Sequence, residues 1–506
     1  MNKLLLTPFW KNNHIKKYSS TIVCSPLSQS SVGDSSQKPS WLSHQKTTRR
    51  GLTSDLYPKL SRQQVSWYLR YHEFNSGDLN DGVVKSFVTN KLASNNPIED
   101  RDAQIRLNLE MSDSPGKYLF GVFDGHGGCA CAQVVNERLF SYIAVMLSPH
   151  SVLEKIVKDQ VDPCLDLISR FTRKDYYYSS DLLDLFRAAL QRLAHDQLIA
   201  PNDECTVEDI LKGAFMRLDH DILADAIPKE GFGEFINLET LSLALSGACA
   251  NLAYVNGTDV YVANTGDCRA VIGQQQTEDD TWVPIPLSKE HDAENDAEVD
   301  RIYRRHPDEK KTVIRNSRLL GELAPLRSFG DARYKWHARI MKHVMNISNP
   351  NVISVYGENL IPQNYFSPPY LTAEPEVKCY SLTPRDKFMV IASDGLWEHL
   401  GAQQVVDLVA AHMDERQILT DFVLPRENIT LKEVNDTLKV RKRKLAKKPE
   451  DENVATHLLR MALGPNHTTL SQYLTIPENL VRHYRDDITI VVVYFDTDYI
   501  ANNFSV

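Results

Sequence analysis

Residues 118–123 form an apolar run that ends directly in Asp124, Gly125, His126, Gly127 and Gly128. Such a run reads as a buried strand, so a carboxylate, an imidazole and three glycines arrive together at its end. The device recurs. Asp394 and Gly395 close the run "KFMVIA", Asp267 sits in a Thr-Gly-Asp turn between "DVYVAN" and "CRAVIG", and Asp486 with Asp487 opens "ITIVVVYF". In antiparallel pairs the end of one strand lies beside the start of its neighbour, so these aspartates can share one sheet edge. Glu99 and Asp100, in "NNPIEDR", stand just upstream of the first of these strands and can join them.

Carboxylates gathered in this way resist ionising unless a cation sits among them. All-oxygen donors without histidine or cysteine partners select a hard ion, Mg²⁺ or Mn²⁺ rather than Zn²⁺. Two such ions about 3.5–4 Å apart are a device for hydrolysing phosphate esters with a metal-activated water. Glycines let backbone oxygens and water approach closely, and His126 is placed to protonate a leaving alkoxide. A single Asp-Gly after a strand is ordinarily just a turn. Its recurrence, in a chain with no G-x-S-x-G elbow and no H-E-x-x-H, points to a hard-metal hydrolase.

The elements that must position these residues are strands interleaved with helical blocks. "KLSRQQVSWYLRYHEF" carries Val65, Tyr68, Leu69 and Tyr71 at helical spacing, and a helix is expected over 132–147 with Val134, Leu139, Ile143 and Leu147 available for one face. Residues 150–230 read as largely helical, as do "QQVVDLVAAHM" and the charged stretch 431–463. "DVYVANTGDCRAVIG" reads as a hairpin. The alternation is too irregular for a doubly wound parallel sheet, and no complete G-x-G-x-x-G fingerprint or P-loop is present. An α+β fold of antiparallel sheets covered by helices is expected.

Composition narrows the class. The 506 residues are 42% hydrophobic and 24% charged, as in soluble globular chains, and a net charge of −9 argues against nonspecific nucleic-acid binding. No apolar run of about 18 residues offers a membrane span. Eight cysteines, scattered from Cys24 to Cys379 without a CxxC pair, suggest packed, reduced thiols rather than a disulfide framework or a zinc site. Residues 1–33 differ in kind, with Lys3, Lys11, Lys16 and Lys17, many hydroxyls and no acid. They read as a mitochondrial presequence, with a disordered tail as the alternative. With the Ser-, Gln-, Thr- and Pro-rich linker that follows, 1–50 stand apart from a catalytic domain over 51–500, with helical insertions near 150–235 and 425–480. Seven Lys or Arg between Lys439 and Lys448 read as a solvated helix face, with a nuclear signal or docking face as alternatives.

In chain order, "PIEDR", "FGVFDGHGG", "LSGACANLAYV", "VANTGDCRAV", "LRSFGD", "LTAEPEV", "ASDGLWE" and "RDDITIVVV" resemble the motifs of the PPM (type 2C) metal-dependent Ser/Thr protein phosphatases. They span 97 to about 495. "CACAQVVNERLFSYIAVML", "LLGELAPLRSFGDARYKW" and "FSPPYLTAEPEV" bring the likeness nearer to one branch of that family, the mitochondrial pyruvate dehydrogenase phosphatases. The resemblance implies a β-sandwich of two packed antiparallel sheets flanked by α-helices. By motif, Asp124 would bridge two metals, Asp394 and Asp486 would complete the first site, and Glu99 with the Gly125 carbonyl the second. Asp267 with Asp394 would form a weaker third site. His126 would be the general acid.

Three positions depart from the family pattern. Asn95 stands where many relatives grip substrate phosphate with an Arg; as the residue expected to meet the phosphate here, its neutral amide can hydrogen-bond it but lacks that charge-assisted hold. Glu398 replaces an Asp after "DGLW", and Asp487 replaces an Asn, which leaves Asp486 and Asp487 both candidates for the last ligand. Asp100, Glu398 and Asp487 are expected just behind the ligands. The branch further implies a matrix enzyme acting on phosphoserine of the alpha subunit of the pyruvate decarboxylase component. It implies docking on a lipoyl domain of the dihydrolipoyl acetyltransferase core, with calcium at that interface, and a regulatory subunit. The rival readings are a PPM phosphatase for another phosphoprotein and a catalytically weak PPM-fold scaffold; Asn95 favours the latter, and intact Glu99, Asp124, Asp394 and Asp486 oppose it.

Overall fold

The computed structural model describes residues 59–503 apart from 110–114, 173–177, 201–204, 229–235, 277–280, 348–359, 418–428 and 446–449. The presequence and linker expected over 1–50 lie outside the described residues, as do Lys447 and Lys448 of the basic run. In chain order the strands are β1 (Phe74–Asn75), β2 (Val84–Leu92), β3 (Arg101–Leu107), β4 (Lys117–His126), β5 (Ile168–Arg170), β6 (Gly247–Asn256), β7 (Asp259–Thr265) and β8 (Arg269–Gln275). They continue as β9 (Trp282–Pro286), β10 (Ile314–Arg315), β11 (Arg318–Leu319), β12 (Phe329–Gly330), β13 (Glu376–Ser381), β14 (Asp386–Ala392) and β15 (Ile488–Phe495).

One sheet runs β1-β2-β15-β14-β8-β9, and the other runs β13-β7-β6-β4-β3-β5 with β12 added beside β6. Neighbours in both are antiparallel. The sheets stack because their strands are apolar on both faces. On β4, Leu119 and Phe123 pack towards helices, while Tyr118, Phe120 and Val122 face the other sheet. On β15, Ile488, Ile490 and Val492 face helices, and Val491, Val493 and Phe495 face β4's sheet. Period-two alternation between two apolar environments leaves β4 and β15 no polar face, which is why these two read as apolar runs. Phe87 of β2 and Phe120 of β4 meet edge to face across this inner layer, with centroids 5.3 Å apart. The expected sandwich with flanking helices is what forms.

The outer face of β4's sheet is covered by helices Ala130–Met146, Ser180–Ile199, Val207–Asp225 and Leu238–Leu245. The other sheet is covered by Arg62–Leu69, Ala402–Gln417, Val454–Leu463 and His467–Leu474. The Arg62–Leu69 helix starts at a capping box, Ser61 with Gln64, and buries Val65 and Leu69; Tyr68 and Tyr71 remain exposed. Helix Ala130–Met146 differs from the one-faced helix expected over 132–147. Its side chains from Cys131 to Val145 are all buried, because helices 180–199 and 207–225 form a second layer over it. The 150–230 insertion is therefore part of the core, and its short strand β5 extends the sheet beside β3.

The expected hairpin over 259–273 does not form. β7 pairs with β6 and β13, whereas β8 pairs with β9 and β14, in the opposite sheet. Strand, turn and strand are all present, but strands apolar on both faces carry no signal of which ladder will claim them. The turn instead carries the chain across the seam. Gly266 has φ +106 there, and a Cβ on it would lie 2.3 Å from Cys249 Sγ, so the crossing requires glycine.

Candidate active site

The carboxylates meet at one end of the sandwich, between the sheets rather than along one sheet edge. Asp124 comes from β4, Asp394 follows β14, Asp486 precedes β15, and Asp267 sits in the inter-sheet crossing. β14 and β15 are paired neighbours, with Ala392 opposite Ile490, while β4 approaches from the other sheet. Asp124 and Asp394 hydrogen-bond to each other. Burial, and then the charges of Asp394, Asp100, Asp267 and Asp486, push the Asp124 carboxyl well above its usual range. Asp394 is raised for the same reasons, by burial and by Asp267, Asp486 and Glu398. Glu398, also raised by burial and then by Asp486 and Asp267, belongs to the cluster's rim.

This cluster fits a hard divalent ion. Asp267 Oδ1 is buried without a hydrogen-bond partner, as a ligand oxygen is before its metal arrives. Donor atoms of Asp124, Asp267 and Cys268 lie within 4.8 Å of one another. Burial and the neighbouring aspartates hold the Cys268 thiol far above its ordinary pKa, so it stays protonated and the donors are oxygens. A second grouping, His291, Glu298 and Glu376, is of another kind. Glu298 already accepts from Arg327 Nε (3.0 Å) and Arg301 Nε (2.9 Å), and the Gly266 amide donates to His291 Nδ1 (3.1 Å). It braces the crossing that presents Asp267.

Glu99 is brought to the glycine loop, where the Gly128 amide donates to its Oε1 (2.7 Å). A Cβ on Gly125 would stand 2.4 Å from the Glu99 carbonyl oxygen, so that glycine is set by close passage of the two segments. Asp486 and Asp487 are separated by their partners. Asp487 accepts from the backbone amides of Ser94 (2.5 Å), Asn95 (2.8 Å) and Glu99 (2.7 Å), and so clamps the 94–99 loop. Asp486 is left to face the cluster. Asn95 Nδ2 is turned onto Asp487 (3.2 Å) and Asp486 (3.4 Å). Asp100 is buried behind the ligands, accepts from Ser393 Oγ (2.8 Å), and is pushed up to about 8 by burial and by Asp487.

The residue that sequence reasoning missed is Asp331. Its Oδ2 lies 2.6 Å from His126 Nε2 and accepts from Ser328 Oγ (2.5 Å). Asp331 is held at φ +50, a region Asp tolerates. Its amide donates to the Ser246 carbonyl (2.9 Å), while Gly330 N and Lys335 Nζ both donate to Asp219 of the Val207–Asp225 helix (2.8 Å each). A Cβ on Gly247 would overlap both His126 Nε2 and Asp331 Oδ2, so that glycine makes room for the pair. Burial by itself favours a neutral ring, but the Asp331 charge and hydrogen bond, with Asp267 and Glu99, raise the His126 pKa. "LRSFGD" ends in Asp331, which was the signal available. The chain also contains a Cys-x5-Arg spacing, Cys164 to Arg170. It ends in strand β5 with the Arg170 guanidinium donating to the Asn136 carbonyl (2.7 Å), so it forms no phosphate-cradling loop.

The metal-free protein should gain stability as pH falls. Asp100 has a folded-state pKa of about 8 against an ordinary 3.8, so between those values the folded chain holds a proton that the unfolded chain releases. Acidification then favours the folded state, and the raised His126 acts in the same direction. The melting temperature in EDTA should rise from about pH 8 to about pH 6, on the order of 2 °C per pH unit per proton. Added Mg²⁺ should flatten the slope. A flat profile in EDTA would contradict the crowded, cation-seeking cluster.

Carboxylates suited to hard ions, beside an imidazole whose pKa an aspartate raises, suit the cleavage of phosphate esters, and comparison with known proteins places the chain among enzymes that do this. It belongs to the protein phosphatase 2C family, whose model matches residues 166–440. It is 38% identical over 477 residues, 91% of this chain and 87% of the relative, to "[Pyruvate dehydrogenase [acetyl-transferring]]-phosphatase 1, mitochondrial" of Bos taurus. To phosphatase 2 of the same description from Homo sapiens it is 38% identical over 466 residues, 88% of this chain and 85% of that one. Against the phosphatase 1 of Saccharomyces cerevisiae, identity is 32% over 438 residues, 80% of this chain and 68% of the relative.

Proposed function

We propose that the protein is a Mg²⁺- or Mn²⁺-dependent phosphatase that removes phosphate from phosphoserine on the pyruvate dehydrogenase complex in the mitochondrial matrix. The observation that carries the chemistry is the carboxylate cluster around Asp124, with Asp267 Oδ1 buried and unpartnered. Identity to mitochondrial pyruvate dehydrogenase phosphatases along 91% of the chain supports the substrate. Asp124, Asp394 and Asp486 would hold one ion, Asp124, Glu99 and the Gly125 carbonyl another, and Asp267 a weaker third. When bound, the ions would activate water and offset charge on the phosphoryl group.

The remaining steps belong to side chains. Asp331 occupies His126 Nε2, which leaves Nδ1–H as the proton that would go to the departing serine oxygen. Asp331 raises the ring's pKa and orients it for this step. Asp487 fixes the loop that brings Glu99 to the site. The partners we infer are the alpha subunit of the pyruvate decarboxylase component, a lipoyl domain of the acetyltransferase core with calcium between them, and a regulatory subunit.

The test is an assay of the protein on phosphorylated pyruvate dehydrogenase and on an unrelated phosphopeptide, each with Mg²⁺, Mn²⁺ or EDTA. Metal-dependent activity should be at least about tenfold higher in kcat/KM, a difference of ~1.4 kcal/mol, on the dehydrogenase. Activity on the peptide alone would keep the chemistry and discard the substrate. Inactivity on both would favour a scaffold.

A further inference from the structure

A phosphomonoester is a dianion, and this site is rimmed by carboxylates. Ions bound within the cluster would offset part of that charge, but the approaching phosphate also needs a cation placed to meet it. Most arginines and lysines on the segments that carry the carboxylates are already committed. Lys91 pairs with Asp102 (3.2 Å), Arg101 donates to the Ile98 and Asp100 carbonyls (2.8 and 2.7 Å), and Arg269 is paired with Glu290. Buried Arg485 donates to the Ala93 carbonyl (2.6 Å). The Asn95 amide, on the same loop as Glu99, is turned onto Asp486 and Asp487.

Arg482 is the exception. It is exposed, and among the described residues its guanidinium has no hydrogen-bond or ion-pair partner. Its backbone is nonetheless fixed. It caps the four-residue helix Glu478–Val481, and that segment is tied to the 93–96 loop at three points. Asn96 Nδ2 donates to Glu478 Oε2, Ser94 Oγ to the Arg485 carbonyl, and Arg485 to the Ala93 carbonyl, each at 2.6 Å. Arg482 stands four residues before Asp486, on the segment tied to the loop that carries Asn95 and leads to Glu99. An exposed arginine beside the site, with its guanidinium unpaired, is free to take an anion at the rim.

We propose that Arg482 is the side chain that takes the substrate phosphate, through the planar fork with which guanidinium groups hold phosphoryl oxygens. The proposal rests on the phosphatase reading. It also makes the 478–485 segment part of substrate binding, because that segment is hydrogen-bonded to the loop that leads to Glu99.

The experiment compares the native protein with Arg482→Gln and Arg482→Lys, using one phosphoserine peptide and inorganic phosphate as the competing product. KM and the phosphate inhibition constant should rise about 10- to 100-fold in Arg482→Gln, the loss of a charge-assisted contact, with a smaller fall in kcat. Arg482→Lys should recover part of the binding. Equilibrium binding of the same peptide, by fluorescence anisotropy on Asp124→Asn protein with and without Arg482→Gln, reads the contact without turnover. Unchanged KM, inhibition constant and anisotropy would overturn the proposal. A native protein that cleaves no phosphate ester would instead overturn the phosphatase reading, while the anisotropy arm still decides whether Arg482 holds phosphate. Melting temperatures within about 2 °C of native would show that the variants are folded.

Discussion

Asp124→Asn should abolish turnover and yet yield a metal-free protein more stable than the native one. Asp124 lies among Asp394, Asp100, Asp267 and Asp486, whose charges and its own burial oppose its ionisation. An isosteric amide removes one charge from that crowd and can still hydrogen-bond Asp394, so without a cation the fold gains. With metal the sign reverses, because the oxygen expected to be shared between ions is lost. Turnover should fall by on the order of 10²–10³-fold or more, the scale of losing one central electrostatic group. Melting curves of both proteins in EDTA and in Mg²⁺ check this. Native protein should gain from Mg²⁺ where the variant gains little, and equal gains would contradict a ligand role for Asp124.

The second large effect belongs to Asp331→Asn. Asn tolerates the left-handed backbone at this position (φ +50), so the substitution tests charge rather than folding. The charge and hydrogen bond of Asp331 raise the His126 pKa; without them the ring's pKa falls, and the proton donor is lost at lower pH. The basic limb of the pH–rate profile should therefore move down. kcat for a phosphoserine peptide should drop about 10- to 100-fold, as for other partners that orient a functional imidazole, within the 10²–10⁴ or so that general acid catalysis supplies. A phosphate ester with a good leaving group, such as p-nitrophenyl phosphate, needs little protonation and should be spared most of the loss. A uniform loss on both substrates with an unmoved pH profile would make Asp331 merely structural.

The contrast between Asp124 and Asp331 shows what was legible in the sequence. Asp124 and Asp394 end long strands apolar on both faces, and the break from apolar run to Asp-Gly marks their place in one dimension. Asp331 follows a two-residue strand, β12, too short to show a period, and its partner His126 lies 205 residues away. The two are brought together by β6, whose Gly247 pairs with both Gly330 and His126, and by the helix that carries Asp219. The choice between Asp486 and Asp487 was equally hidden. It depends on the direction in which the amides of Ser94, Asn95 and Glu99 point, and no residue type encodes that direction. The same limit explains the hairpin expected at 259–273. Residue types there showed two strands and a turn, but the ladder each strand joins is decided by distant neighbours. The helix over 130–146 reads as one-faced until its insertion-borne neighbours cover the other side.

The crossing from β7 to β8 has a further consequence. Asp267 hangs between two sheets, Asp124 is fixed to one, and Asp394 and Asp486 are fixed to the other, so the distance between the sheets sets the distance between these carboxylates. That separation is fixed far from the chemistry, by Phe87, Phe120, Met389 and Val491 in the layer between them. Interiors packed at crystal-like density transmit even a one-methylene change. The sandwich core therefore serves as a gauge block for the carboxylate cluster.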